Sequence, residues 1–148
     1  MVEQAIHRFL WAKLGKNDLY RPLICHLIDV ALVAQGLWDN ALTDSIRRHY
    51  CSLLDLPPEQ ARALLSFRIG LRDLGKASPA FQSRDASPVE RLAAAGLTFP
   101  KVFVGSRWRH GTVTARALDG LLQEETGLGT SHSRVVAEAY GTIVGGGL

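Results

Sequence analysis

From Pro22 to Trp38 the chain reads PLICHLIDVALVAQGLW, and its apolar residues recur at helical rather than alternating spacing. Proline suits the first turn of a helix, because its missing N–H would have no partner there anyway. The pattern therefore predicts a helix from about Pro22 to Trp38. His26, Val30, Val33 and Leu37 fall at i, i+4, i+7 and i+11 on one stripe predicted to face a core. Leu and Ala dominate the rest of the chain while β-branched and aromatic residues are sparse, which favours helix over sheet. Further helices are predicted over 42–54, from the Pro57-Pro58 pair to about Leu74 with Gly75 as C-cap, and from Ser87 to Ala95. There Ser87 and Glu90 form a capping box. Two more are predicted over His110–Glu125 and Ser133–Val144. Residues 4–12 form a short amphipathic opening with Ile6, Phe9, Leu10 and Trp11, and residues 15–18 a polar break. Pro79–Gln82 is a turn and Gly96–Arg109 irregular, with 99–104 the one candidate for extended backbone. About seven helices without a convincing strand pair define an all-α bundle.

Length places the 148 residues in one domain, 1–148, large enough for a real core. Apolar residues make up 47% and charged residues 21%, as in ordinary soluble globular proteins. The net charge of +3 and the isoelectric point near 9.1 suit a nucleic-acid partner, and equally a plain basic surface. Cys25 and Cys51 lie inside apolar helical patterns without ligand-like spacing, and read as reduced core residues of an intracellular protein. The start of the chain lacks the charged and apolar regions of a signal peptide, and no stretch is long enough to span a membrane. The expected setting is the cytoplasm. The final Gly145-Gly146-Gly147-Leu148 is a poor place for a domain to stop, so the domain is expected to be incomplete at its C-terminus.

A few residues carry candidate chemistry. His26 has Asp29 three residues on, on the same side of its helix, which suits either a core histidine held by a carboxylate or a site. Leu65, Ile69 and Asp73 follow at i, i+4 and i+8, so that Asp73 continues a predicted buried face. A buried carboxylate is costly unless paired or bound to a cation. Lys76 lies one turn beyond, placed for an anion or for the last helical carbonyls. His110 stands in RWRHG, where a helix begins. Trp108 with Arg107 and Arg109 can stack on and neutralise a nucleic-acid strand, or anchor a tryptophan between two solvated arginines. His7, His49 and His132 have no partner at ligand spacing. Gly-rich phosphate loops, Cys-X-X-Cys pairs and nucleophile elbows are absent.

Three segments in order, LWAKLGKNDLYRPLICHLIDVALVAQGLW (10–38), GLRDLGKASPAFQ (70–82) and RWRHG (107–111), resemble the HD nuclease domain of the CRISPR-associated helicase-nuclease of type I interference. The resemblance spans nearly the whole chain, and Asp-X-Gly-Lys followed by Phe-Gln is its most specific part. It implies a helical HD-domain bundle that holds one or two transition-metal ions (Mn, Ni, Co, Fe or Zn) between His and Asp ligands. It also implies cleavage of single-stranded DNA exposed by an RNA-guided surveillance complex, with a helicase domain or subunit as partner. By the same resemblance His26 matches the first ligand, Asp73 the metal-bridging aspartate, Lys76 the motif lysine suited to a substrate phosphate, and His110 a later histidine ligand.

Two departures bear on activity. The family has a histidine where this chain has Arg72, and a guanidinium offers no lone pair to a metal at any working pH. Where the family has paired histidines after Gly-Gly, this sequence reads Gly147-Leu148. His26, Asp73 and His110 can hold one ion weakly but do not make a two-metal clamp. Three readings follow: a nuclease domain with missing ligands, an inactive module that docks on the defence complex or binds DNA, and a general HD phosphohydrolase acting on nucleotides. In the second, Arg72 fills the metal's place by pairing with Asp73 or Asp29. The Trp-X-Lys and Phe-Gln features disfavour the third.

Overall fold

The computed structural model describes residues 6–17, 19–99 and 110–126 of the chain. They contain six α-helices, two 3-10 helices and one pair of short strands, an essentially all-α architecture. In order these are a 3-10 turn (Ile6–Arg8), β1 (Trp11–Leu14), β2 (Tyr20–Pro22), α1 (Leu23–Asn40), α2 (Asp44–Leu54) and α3 (Pro58–Gly70). A 3-10 helix (Leu71–Ala77), α4 (Pro79–Gln82), α5 (Ala86–Ala94) and α6 (His110–Thr126) complete them. None of the described helices is long and apolar enough to cross a membrane. The predicted helix over Ser133–Val144 lies outside the described residues, as does the extended candidate at 99–104 apart from Phe99.

The chain divides into two compact units, one formed by Met1–Cys25 with Arg72–Leu148, the other by His26–Leu71. In the first, Trp11, Phe81 and Leu92 are buried together, with Phe9, Leu10, Tyr20, Leu97 and Phe99 packed around them. The Trp11 and Phe81 rings meet at 4.7 Å between centroids. The two strands correct the expectation of an all-helical opening. β1 and β2 pair antiparallel, Lys13 opposite Arg21 and Leu14 opposite Tyr20, with an irregularity between Trp11 and Lys13 that lets Trp11 and Ala12 both turn inward. The polar break supplies their connection. Gly15 N–H donates to Leu19 C=O at 2.8 Å, and Asn17 takes the left-handed conformation (φ 57°) that asparagine tolerates well.

Gln82 locks the strands to the rest of this unit. Its side-chain Oε1 accepts from Trp11 N–H at 3.1 Å, and its Nε2 donates to Trp11 C=O at 2.8 Å and Lys76 C=O at 2.7 Å. The Trp11 indole N–H in turn donates to Gln82 C=O at 3.3 Å. A strand end with no sheet beyond it thus obtains its backbone partners from one buried amide. Asp85 caps α5 by accepting from Ser87 N–H at 3.4 Å, so the expected Ser87–Glu90 box is replaced by a cap two residues earlier.

The second unit is helical. Thr43 caps α2 through its hydroxyl, and Asp55 ends that helix in the left-handed conformation, φ 53°, with its N–H on Cys51 C=O. Pro58 opens α3 in the position proline favours. Arg62 grips Asp39 with two bonds of 2.8 and 2.6 Å, and Arg47 donates to the Trp38 carbonyl at 2.9 Å. Gly70 lets α3 end against α1: a Cβ there would stand 3.0 Å from Ala31 Cβ and 3.1 Å from Leu27 C=O. The stripe predicted on α1 is not the buried one. Val33 and Leu37 are 62% and 55% exposed, while Leu23, Ala34 and Trp38 are buried. Cys25 and Cys51 are free and only partly buried, so they are not core residues.

Candidate active site

The chemistry gathers in the first unit, where the 3-10 helix Leu71–Ala77 meets the start of α6. The expectation that α3 would run on to Leu74 fails at Gly70, where the backbone tightens into the 3-10 helix. Asp73 is consequently not a continuation of the Leu65–Ile69 face, and Ile69 is 46% exposed. Tighter winding changes what Asp73 faces. In a 3-10 helix residues three apart eclipse, which brings Lys76 directly over Asp73. Lys76 Nζ lies 2.5 Å from Asp73 Oδ2, with both side chains largely buried.

Gly75 is not a helix cap but the point of closest approach to α6. A Cβ on it would overlap the His110 carbonyl oxygen and stand 2.7 Å from both Thr114 N and Thr114 Oγ1. Through this gap Gly75 N–H donates to Thr114 Oγ1 at 2.7 Å. The same hydroxyl lies 3.1 Å from Arg72 C=O and 3.0 Å from His110 C=O, with one hydrogen to serve the two. Thr114 is fully buried and was not singled out from the sequence. It is nonetheless the knot that ties the Asp73 segment to the first turn of α6.

That knot sets His110 against Asp73. His110 Nε2 stands 3.3 Å from Asp73 Oδ1, on the opposite carboxylate oxygen from Lys76. Burial is the largest influence on His110 and holds its imidazole below the ordinary histidine range. The Asp73 charge opposes this, and the Lys76 and Arg84 charges reinforce it. The ring is accordingly neutral at neutral pH, and its contact with Asp73 is a polar contact rather than an ion pair. A neutral imidazole is the form a metal or a transferable proton requires.

Arg72 is exposed, while Asp73 has an ion pair with Lys76 and a polar contact with His110. His26 lies in the first turns of α1, half-buried, in the other unit. His7 and His49 are exposed, as ordinary surface histidines are. Arg107, Trp108, Arg109 and His132 lie outside the described residues.

Over residues 11–146 the chain matches the family model described as Cas3, HD domain. It belongs to the Cas3 HD domain family. Two curated Cas3 proteins, each named a CRISPR-associated endonuclease/helicase, are similar to it. That of Thermus thermophilus is 37% identical over 133 residues, 89% of this chain and 14% of the relative. That of Escherichia coli is 32% identical over 108 residues, 68% of this chain and 12% of the relative. A crystal structure of a CRISPR-associated protein superposes with a TM-score of 0.78 at 34% identity, over 91% of this chain and 15% of the other. The chain thus spans about one-seventh of the length of these Cas3 relatives.

A Cas3 HD domain implies a divalent ion, and the donors can be tested for it. Two ligands at ordinary distances on a tetrahedral ion stand roughly 3.3–3.6 Å apart. The 3.3 Å between Asp73 Oδ1 and His110 Nε2 is of that size. Among the described residues, however, no three His, Cys, Asp or Glu side chains gather into a metal-binding group. Asp73 and His110 fit as two ligands of a set that the described residues do not complete.

Proposed function

We propose that this chain is an HD-type nuclease domain of type I CRISPR antiviral defence that acts on single-stranded DNA, with its ion site weakened at Arg72. The observation that carries this reading is the meeting of Asp73, Lys76 and His110 about one carboxylate, in a member of the Cas3 HD family. Asp73 and His110 would be two ligands, and His26 is a candidate ligand by the family resemblance alone. A divalent transition metal bound there would lower the pKa of a bound water. The residues themselves do the rest. Lys76 screens the Asp73 charge and presents donors to a phosphate, and the neutral His110 ring offers a lone pair. Arg107, Trp108 and Arg109 are proposed as further strand contacts. The proposed setting is the cytoplasm, with the helicase part of the relatives and an RNA-guided surveillance complex as partners.

The test is cleavage of a labelled single-stranded oligonucleotide by the purified chain with Mn²⁺ or Ni²⁺. We expect slow, metal-dependent cleavage that Asp73→Ala abolishes. Arg72→His should raise metal affinity at least about tenfold, the scale on which even supporting residues act at metal sites. Equal cleavage by the wild type and Asp73→Ala would remove the site assigned here. Metal uptake by Arg72→His no better than wild type, measured by elemental analysis, would remove the ion from it. A second reading, a DNA-binding module without hydrolysis, is favoured by a donor set that the described residues leave incomplete. It predicts strand binding with no cleavage under any metal.

A further inference from the structure

We propose that Arg84, in the turn between α4 and α5, contacts a backbone phosphate of the single strand at the Asp73–Lys76–His110 site; this rests on the nucleic-acid reading above. The family motif ends at Gln82, so nothing in it marks this residue. The structure brings it in through Phe81. That ring is buried, it meets the His110 ring nearly at right angles with 6.1 Å between centroids, and Lys76 Nζ lies 5.8 Å from its centre. The Arg84 guanidinium carbon stands 4.7 Å from the same centre. One aromatic ring is therefore shared by Arg84, Lys76 and His110, and the Arg84 charge is felt at His110.

The backbone holds this arrangement firmly. Ser78 caps the single turn of α4, Gln82 within it is almost wholly buried, and Arg84 N–H donates to Phe81 C=O at 3.2 Å. Arg84 itself is exposed. Stacking uses the flat face of a guanidinium, while its N–H groups lie in the plane, where they match phosphate oxygens. Lys76 pairs with Asp73, and Arg84 brings a second cation to the same ring. A polyanion that threads past Asp73 meets a second cation held against the Phe81 ring.

The experiment is the affinity of the full chain for a fluorescent oligothymidine by anisotropy, across a salt series in EDTA, so that neither cleavage nor metal uptake enters. Each phosphate neutralised on a single strand contributes about 0.7 to the slope of log K against log salt. We expect Arg84→Gln to weaken binding several-fold at low salt and reduce the slope by about 0.7, with an unchanged melting temperature. Arg84→Lys should restore the slope, since the charge returns. A wild-type chain that binds while Arg84→Gln keeps the full slope overturns the Arg84 assignment alone. If Arg84 only packs on Phe81, both variants move the melting temperature and neither moves the slope. A wild-type chain that binds no oligothymidine overturns the nucleic-acid reading itself.

Discussion

Gly75→Ala should destabilise the chain by roughly 3 kcal/mol or more, at the upper end of what overpacking costs, and should separate His110 from Asp73. The reason is what the new methyl group meets. Flexible side-chain tips can swing aside, but here the obstacles are the His110 carbonyl and the Thr114 amide, both backbone of α6. Relief requires that α6 withdraw as a body. Withdrawal breaks the 2.7 Å bond from Gly75 N–H to Thr114 Oγ1 and carries the histidine away from the carboxylate. Gly120, within α6, provides the control, because a Cβ there meets nothing within 4 Å. Glycine in a helix interior is entropically unfavourable, so Gly120→Ala should stabilise by about 0.5–1 kcal/mol. Urea denaturation of both variants reads the contrast. Midpoints that shift equally, or in the same direction, would show that Gly75 is not the contact point on which the site depends.

The motif glycine shows what was legible in the sequence and what was not. Asp-X-Gly-Lys marked the place, and the i, i+3 spacing of Asp73 and Lys76 already permitted their pairing. The start of α6 at His110 and the span of α1 were also readable, because helical periodicity and proline placement are local signals. Gly75 reads as a cap in the sequence because a glycine after an apolar helical run usually is one. Its actual role depends on α6, and the contact with Thr114 lies 39 residues along the chain. No window of local sequence contains that information. The same holds for Thr114, whose hydroxyl looks like any helical threonine, and for Arg84, which acquires a role only through the Phe81 ring. The exposed Val33 and Leu37 mark the reverse error. An apolar stripe at the right spacing states which residues can share a face, not which face is covered.

The strand pair was missed for a related reason, and it carries the second large expectation. Trp-Ala-Lys-Leu neither alternates nor runs long enough to declare a strand, and β1 exists because Gln82, 71 residues on, satisfies the Trp11 backbone. Gln82→Leu keeps the volume and removes every side-chain bond. Trp11 N–H, Trp11 C=O and Lys76 C=O are then left without that partner, and an unpaired buried polar group costs about 1–3 kcal/mol. The loss should be roughly 3 kcal/mol or more, and the Lys76 end of the site should loosen with it. Gln82→Glu tests the geometry more sharply. It keeps the acceptor toward Trp11 N–H but turns an ionised oxygen toward two carbonyls, where the amide had placed two hydrogens. Ionisation is thus disfavoured in the folded chain, and the new carboxyl's pKa is raised above its unfolded value of about 4.3. Between those two values the unfolded state releases its proton first, so stability falls by up to about 1.4 kcal/mol per pH unit as pH rises. Below about pH 4.3 that deficit is absent, since both states hold the proton and the acid can donate to one carbonyl. Denaturation of Gln82→Glu and Gln82→Leu in parallel from pH 4 to pH 7 separates the cases. The Glu variant should lose ground against the Leu variant as pH rises, and curves that stay parallel would mean that residue 82 does not face the Trp11 and Lys76 carbonyls in solution.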